Sequence, residues 1–142
     1  MKKGFTLIEL LVVIAIIALL STLAVVALGS AREKARDAKR LSDVKQMQTA
    51  LELYYTDKSD YPAGSALVLG GSSAGCLGGD GFAASGCTAT EYMGQVPANP
   101  TPNGADYVYT KGTATYSITF SLEGTSGGLT SGAHTASPSG MK

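Results

Sequence analysis

A single carboxylate, Glu9, stands inside a stretch in which nearly every residue from Phe5 to Leu28 is apolar. An ionised carboxylate in hydrocarbon costs on the order of 2.5–3.5 kcal/mol by insertion scales, so Glu9 asks for a partner or a function. Other candidates for chemistry are sparse. Cys76 and Cys87 enclose ten residues, several of them Gly, and the chain has no further cysteine. In an exported segment such a pair points to one disulfide. A metal-thiolate reading needs more ligands, and the sole histidine, His134, lies far along a Gly/Ser-rich tail. Asp80, Asp106 and Glu123 sit in or beside predicted loops with no calcium-ligand spacing, and read as solvated surface carboxylates. Gly79-Asp80-Gly81-Phe82-Ala83-Ala84 fits the loose dinucleotide fingerprint but follows no predicted strand, and is set aside. One histidine makes no triad, and no phosphate-loop Lys or His-Glu-x-x-His motif is present. The chain therefore reads as non-enzymatic, with no metal and no cofactor.

The element that carries Glu9 is long. At about 1.5 Å per residue, Phe5–Leu28 reaches about 36 Å, enough to cross a ~30 Å hydrocarbon core. Lys2 and Lys3 hold the leader in the cytoplasm by the positive-inside rule and send the C-terminal side outward. A secretory signal peptide has a shorter apolar region, about 7–15 residues. A small-residue site at Ala27-Leu28-Gly29 keeps a secreted small domain cut near Gly29 as one alternative. A single-pass membrane-anchored surface-binding protein is the other. Beyond Ser30, the positions Ala31, Ala35, Ala38, Leu41, Val44, Met47, Leu51 and Tyr54 recur in steps of three and four, as in an amphipathic helix. One helix from Phe5 to about Thr56 is expected, with Glu33/Asp37, Arg36/Arg40 and Lys34/Ala38 on its solvated side. Asp57 to Pro62 ends it, because Pro62 lacks an amide and disfavours α at Tyr61.

Composition then changes: of eighteen glycines, only Gly4 and Gly29 precede Tyr61. Gly70–Thr90 reads as a loop holding both cysteines, and Pro97, Pro100 and Pro102 with Asn103-Gly104 read as turns. Glu91–Val96 fits a short helix or an extended piece equally. The clearest strands are Tyr107–Thr110 and Ala114–Leu122, joined by a turn at Lys111-Gly112-Thr113. In the second, Tyr116, Ile118, Phe120 and Leu122 alternate with Ser117, Thr119 and Ser121, giving one buried and one wet face. Val44, Met47, Leu51 and Tyr54 supply the cover. Glu123–Lys142 is expected to hold at most one short strand near Leu129. The tyrosines read as core and rim packing. The fold class is α+β: a long N-terminal α-helix, transmembrane in its first half and amphipathic in its second, packed on a small antiparallel β-sheet head. Net charge is zero, and acids interleave with the bases of Arg32–Lys45. That argues against a dedicated nucleic-acid site and for a solvated helix shoulder or subunit contacts.

Met1-Lys2-Lys3-Gly4 followed by Phe5-Thr6-Leu7-Ile8-Glu9-Leu10-Leu11-Val12-Val13-Ile14 resembles the class III signal of type IV prepilins and type II secretion pseudopilins. The resemblance covers the leader and the apolar helix. It implies cleavage between Gly4 and Phe5 by a prepilin peptidase/methyltransferase, N-methylation of Phe5, and polymerisation through the helix. In that reading the Phe5 amine of one subunit meets Glu9 of another and sets axial register. Gly4 leaves the protease an unobstructed backbone, and Lys2 and Lys3 orient the leader. The implied partners are copies of itself or related pilins in a helical filament, membrane lipid, and a pilus or secretion assembly machinery. The implied location is a single-pass membrane protein with cytoplasmic leader and outer head, then an extracellular or periplasmic filament. The expected division is 1–4 leader, 5–28 transmembrane and filament-core helix, 29–60 amphipathic half, and 61–142 Gly/Ser-rich head. Where many type IVa pilins carry Gly and Pro in the membrane half, this chain has Ala18 and Val26.

Overall fold

The computed structural model describes residues 1, 4–87 and 90–142. Lys2 and Lys3, expected to orient the leader, lie outside the described residues. The order of elements is α1 (Leu7–Lys58), β1 (Leu67–Val68), β2 (Cys76–Gly78), β3 (Gly81–Ala83), β4 (Val108–Lys111), β5 (Tyr116–Leu122), β6 (Gly132–Ser137) and β7 (Gly140–Met141). The fold is α+β. Two compact units divide the chain, Met1–Glu33 and Lys34–Lys142, with α1 running through both.

In the first unit, α1 is apolar on every side. Sixteen large apolar side chains between Phe5 and Leu28 are 48–89% exposed. A helix hydrophobic all round is built for an apolar surround rather than for one packed face. Its apolar window has a mean hydropathy of 3.1 with none of it buried, so by length and composition this helix can cross a membrane.

In the second unit, α1 buries Asp37, Arg40, Asp43, Val44, Met47, Ala50, Leu51 and Tyr54. This corrects the expected stripe. Ala35 and Ala38 are exposed, as is Ala31 in the first unit, whereas Asp37 and Arg40, expected on the solvated side, are buried. The physical reason is helical phase. Stepping back from Tyr54 through Leu51, Met47 and Val44 by alternate threes and fours arrives at Arg40 and Asp37, not at Leu41 and Ala38. α1 ends at Ser59, whose φ is 57° and whose amide bonds the Tyr55 carbonyl at 2.8 Å. This is a left-handed cap with Ser in the place usually taken by Gly.

The main sheet is antiparallel with order β1-β4-β5-β6-β7. β5 buries Tyr116, Ile118, Phe120 and Leu122, the alternation expected from sequence. These pack with Tyr107, Tyr109 and Ala136 against Val44, Met47, Leu51 and Tyr54 of α1 in one core. The tyrosines earn their burial by bonding their hydroxyls: Tyr109 donates to the Pro62 carbonyl at 2.7 Å and Tyr107 to Asp43 at 3.2 Å. The stretch expected to be mostly loop, Glu123–Lys142, instead holds β6 and β7. β6 pairs along β5 from Ile118↔Ala136 to Leu122↔Gly132, and at Leu129 there is only an isolated bridge to Ser126. The Gly70–Thr90 loop likewise contains the β2–β3 hairpin. β6 is a small-residue strand held by its neighbour rather than by its own propensity, whereas the β2–β3 hairpin is anchored by Leu77, which is buried in the core, and Phe82. Cys76 and Cys87 are joined, with Cα atoms 6.1 Å apart.

Candidate functional site

Glu9 sits in the first turn of α1. Thr6 is the residue before the helix, and its carbonyl accepts the first helical bond, from Leu10 N at 3.3 Å. Glu9 Oε2 accepts from the Thr6 amide at 2.8 Å and from the Thr6 hydroxyl at 2.6 Å, while the Glu9 amide donates back to Thr6 Oγ1 at 3.3 Å. This is a reciprocal capping box, with the N-cap and third helical position satisfying each other's amides. Sequence reading missed Thr6, although Thr-x-x-Glu before an apolar run is the signal for it. The cap holds the carboxylate within its own chain. Both donors from Thr6 fall on Oε2, so Oε1 keeps lone pairs for another donor. Phe5 beside it is 89% exposed. At Gly4 an added Cβ would meet nothing within 4 Å, so packing within the chain does not require glycine there.

A second polar centre lies in the Lys34–Lys142 unit. Arg40, fully buried, donates from Nε to Asn99 Oδ1 at 2.8 Å and from Nη1 to Asp37 Oδ1 at 2.7 Å and Glu123 Oε1 at 2.6 Å. Its Nη2 donates to the carbonyls of Pro100, at 3.1 Å, and of Asn103. Arg36 grips Glu123 with both prongs, at 2.7 and 2.6 Å. Asp37 receives the amides of Glu123 and Gly124 at 3.0 and 2.7 Å. Gly104, at φ 93°, is required: a Cβ there would lie 2.8 Å from Arg40 Nη2. The expectation that Glu123 is a solvated surface carboxylate is thus corrected, because its side chain is 12% exposed and shared between two arginines.

The electrostatics follow from these contacts. The Arg36 hydrogen bonds hold the Glu123 carboxyl well below the usual range against the opposing effect of burial, with Asn103 and Arg40 assisting. Burial pushes Asp37 up, but the two backbone amides and Arg40 together outweigh it and leave it lowered. Asp43 goes the other way. Burial raises it, and Lys39 and the Tyr107 hydroxyl compensate only in part. Arginine does not release a proton in this range, so the centre fastens rather than transfers. It ties the 99–104 loop and the end of β5 to α1. Among the described residues no three His, Cys, Asp or Glu side chains gather as a metal site, and Asp80 and Asp106 are exposed.

Residues 1–29 match the prokaryotic N-terminal methylation motif. The chain is 40% identical over 62 residues to the type II secretion system core protein G of Pectobacterium carotovorum subsp. carotovorum, covering 44% of this chain and 40% of that one. It is 41% identical over 61 residues to the core protein G of Escherichia coli K12, covering 43% and 42%. To that of Klebsiella pneumoniae it is 43% identical over 61 residues, covering 43% and 44%. The chain thus spans less than half the length of the curated relatives it matches. No solved structure matches it.

Proposed function

We propose that this chain is a structural subunit, a pilin or pseudopilin, of a type II secretion-type or type IV pilus-like filament. It enters the membrane as a precursor through α1, is cleaved after Gly4, is N-methylated at Phe5, and polymerises by packing its apolar helix against copies of itself or related subunits. The observation that carries this reading is the match of residues 1–29 to the methylation motif on a helix whose apolar side chains have no cover within the chain. Fully burying each such side chain out of water is worth about 1.5–3 kcal/mol, so outside the membrane this helix is stable only when packed against neighbouring helices. Likeness to core protein G favours the secretion filament over a surface pilus. Glu9 is the register element. Cleavage creates a cationic amine at Phe5, one turn from the capped Glu9, and an intersubunit pair neutralises two charges that are each costly alone. Gly4, where even an added Cβ would meet nothing within 4 Å among the described residues, gives a peptidase its backbone. Expressing the chain with a secretion assembly machinery and shearing the cells tests this. Sedimentable filaments containing the chain, lost on Glu9→Leu while the membrane-inserted subunit persists, are expected. A chain that stays unassembled in the membrane, or is released as a soluble domain, contradicts it.

A further inference from the structure

Exposed charges outside the Arg40 centre segregate along the second-unit part of α1, where Asp43 is buried. Lys34, Lys39 and Lys45 are exposed along its earlier turns, and Glu52 and Asp57 along its later ones, with Lys58 the single exception at that end. At 3.6 residues per turn, Lys34, Lys45 and Glu52 line one flank of the exposed helix face, and Lys39 and Asp57 line the other. Between the flanks lie Ala38, Ser42, Thr49 and Leu53, all exposed, with Leu53 at 53%. Small side chains there allow another backbone to come close, and Leu53 offers apolar area at the centre.

We propose that this face is the contact surface for a second copy of the chain, with Lys34, Lys39 and Lys45 of one copy set against Glu52 and Asp57 of another. The inference rests on the filament reading. Lys39 acts on the buried Asp43 one turn on, but no lysine of this stretch reaches Glu52 or Asp57 within one helix, because even Lys45 and Glu52 are separated by a rise of about 10 Å. Two parallel copies at the same height would put like charge beside like. An axial offset of about 15–20 Å puts the basic stretch of one beside the acidic stretch of the next. The two flanks lie more than 100° apart round the helix, so each copy turns its Lys39/Asp57 flank to one neighbour and its Lys34/Lys45/Glu52 flank to another. Such a head-to-tail contact does not close, so it propagates.

Zero-length carbodiimide coupling of filaments grown from mixed light- and heavy-nitrogen chains tests this directly. Light–heavy peptides joining Lys34, Lys39 or Lys45 to Glu52 or Asp57 are expected. Lys39→Glu with Lys45→Glu should lower the ratio of polymer to free subunit several-fold, and adding Asp57→Lys should recover much of it. Filaments whose light–heavy links all fall elsewhere overturn this contact while leaving the filament intact. Failure to form polymer under any condition overturns both. Glu52 accepts hydrogen bonds from Tyr61 and Tyr116, at 3.2 and 3.4 Å, and Asp57 accepts one from the Tyr92 hydroxyl at 2.9 Å; the Asp57 bond lies at the exposed surface, so the acidic reversal is placed there.

Discussion

Replacing Arg40 by Ala empties the centre that binds the 99–104 loop and the end of β5 to the helix. Removing one member of a buried ion pair costs about 3–5 kcal/mol, because the partner charge stays buried without its counterion. Two features of this site lower that figure. Glu123 keeps its two-pronged hold by Arg36, and Asp37 keeps the amides of Glu123 and Gly124. Two features raise it. The carbonyls of Pro100 and Asn103 lose a charged donor, and a fully buried side chain leaves a void. We expect a loss of about 3–4 kcal/mol, a large part of the ~5–15 kcal/mol that stabilises a typical domain. Arg40→Lys keeps the charge without the planar fork and should fall between the two. The assay is urea unfolding of the full chain in detergent micelles, followed by the near-ultraviolet circular dichroism of its tyrosines. A loss under about 1 kcal/mol, the range of an exposed pair, refutes the reasoning.

Three further outcomes follow from particular contacts. Removing the disulfide with Cys76→Ser and Cys87→Ser should cost about 2–3 kcal/mol in the same assay, from the loop closed by a sequence separation of 11. Stability should fall in acid. Glu123 and Asp37 are lowered in the folded chain, so what they contribute is present above the ordinary carboxylate range and is lost as pH falls through their depressed values. Arg40→Ala should flatten that acid limb, and an unchanged limb contradicts the assignment. In alkali, burial raises Tyr107, Tyr109 and Tyr116 and pushes Tyr61 up to about 12. Stability from these groups is full below the ordinary phenol value of about 10 and is lost as pH climbs beyond it. Tyrosinate absorbance should therefore rise in two steps, the second coinciding with unfolding. A single smooth titration without unfolding would show those hydroxyls to be accessible.

What could be read from sequence divides by the range of the interaction. The apolar helix and the β5 alternation are local patterns, and each is present as expected. The Arg40 centre is not local. Its partners Asn99, Pro100, Asn103 and Glu123 lie far along the chain, and nothing in a helical period says that a buried turn will be polar. The phase was nonetheless available: extending Leu51, Met47 and Val44 backward places Arg40 and Asp37 inside, while an apolar-only rule chooses Leu41 and Ala38. β6 shows another limit. Gly-Ala-His-Thr-Ala-Ser buries only Ala136 and becomes a strand because β5 offers it a ladder. Thr6 is the opposite case: its cap is local and follows from Thr-x-x-Glu alone, with Glu9 as the third residue of the helix.

The intact mass and N-terminal sequence of the chain isolated from its own membrane report directly on what becomes of the N-terminus. A chain that begins at Phe5 and is heavier than the bare sequence by one methyl group is the result predicted here. A chain that still begins at Met1 contradicts the account and makes α1 an ordinary anchor. One that begins near Ser30 contradicts it as well, and would leave the Lys34–Lys142 unit to carry the function alone.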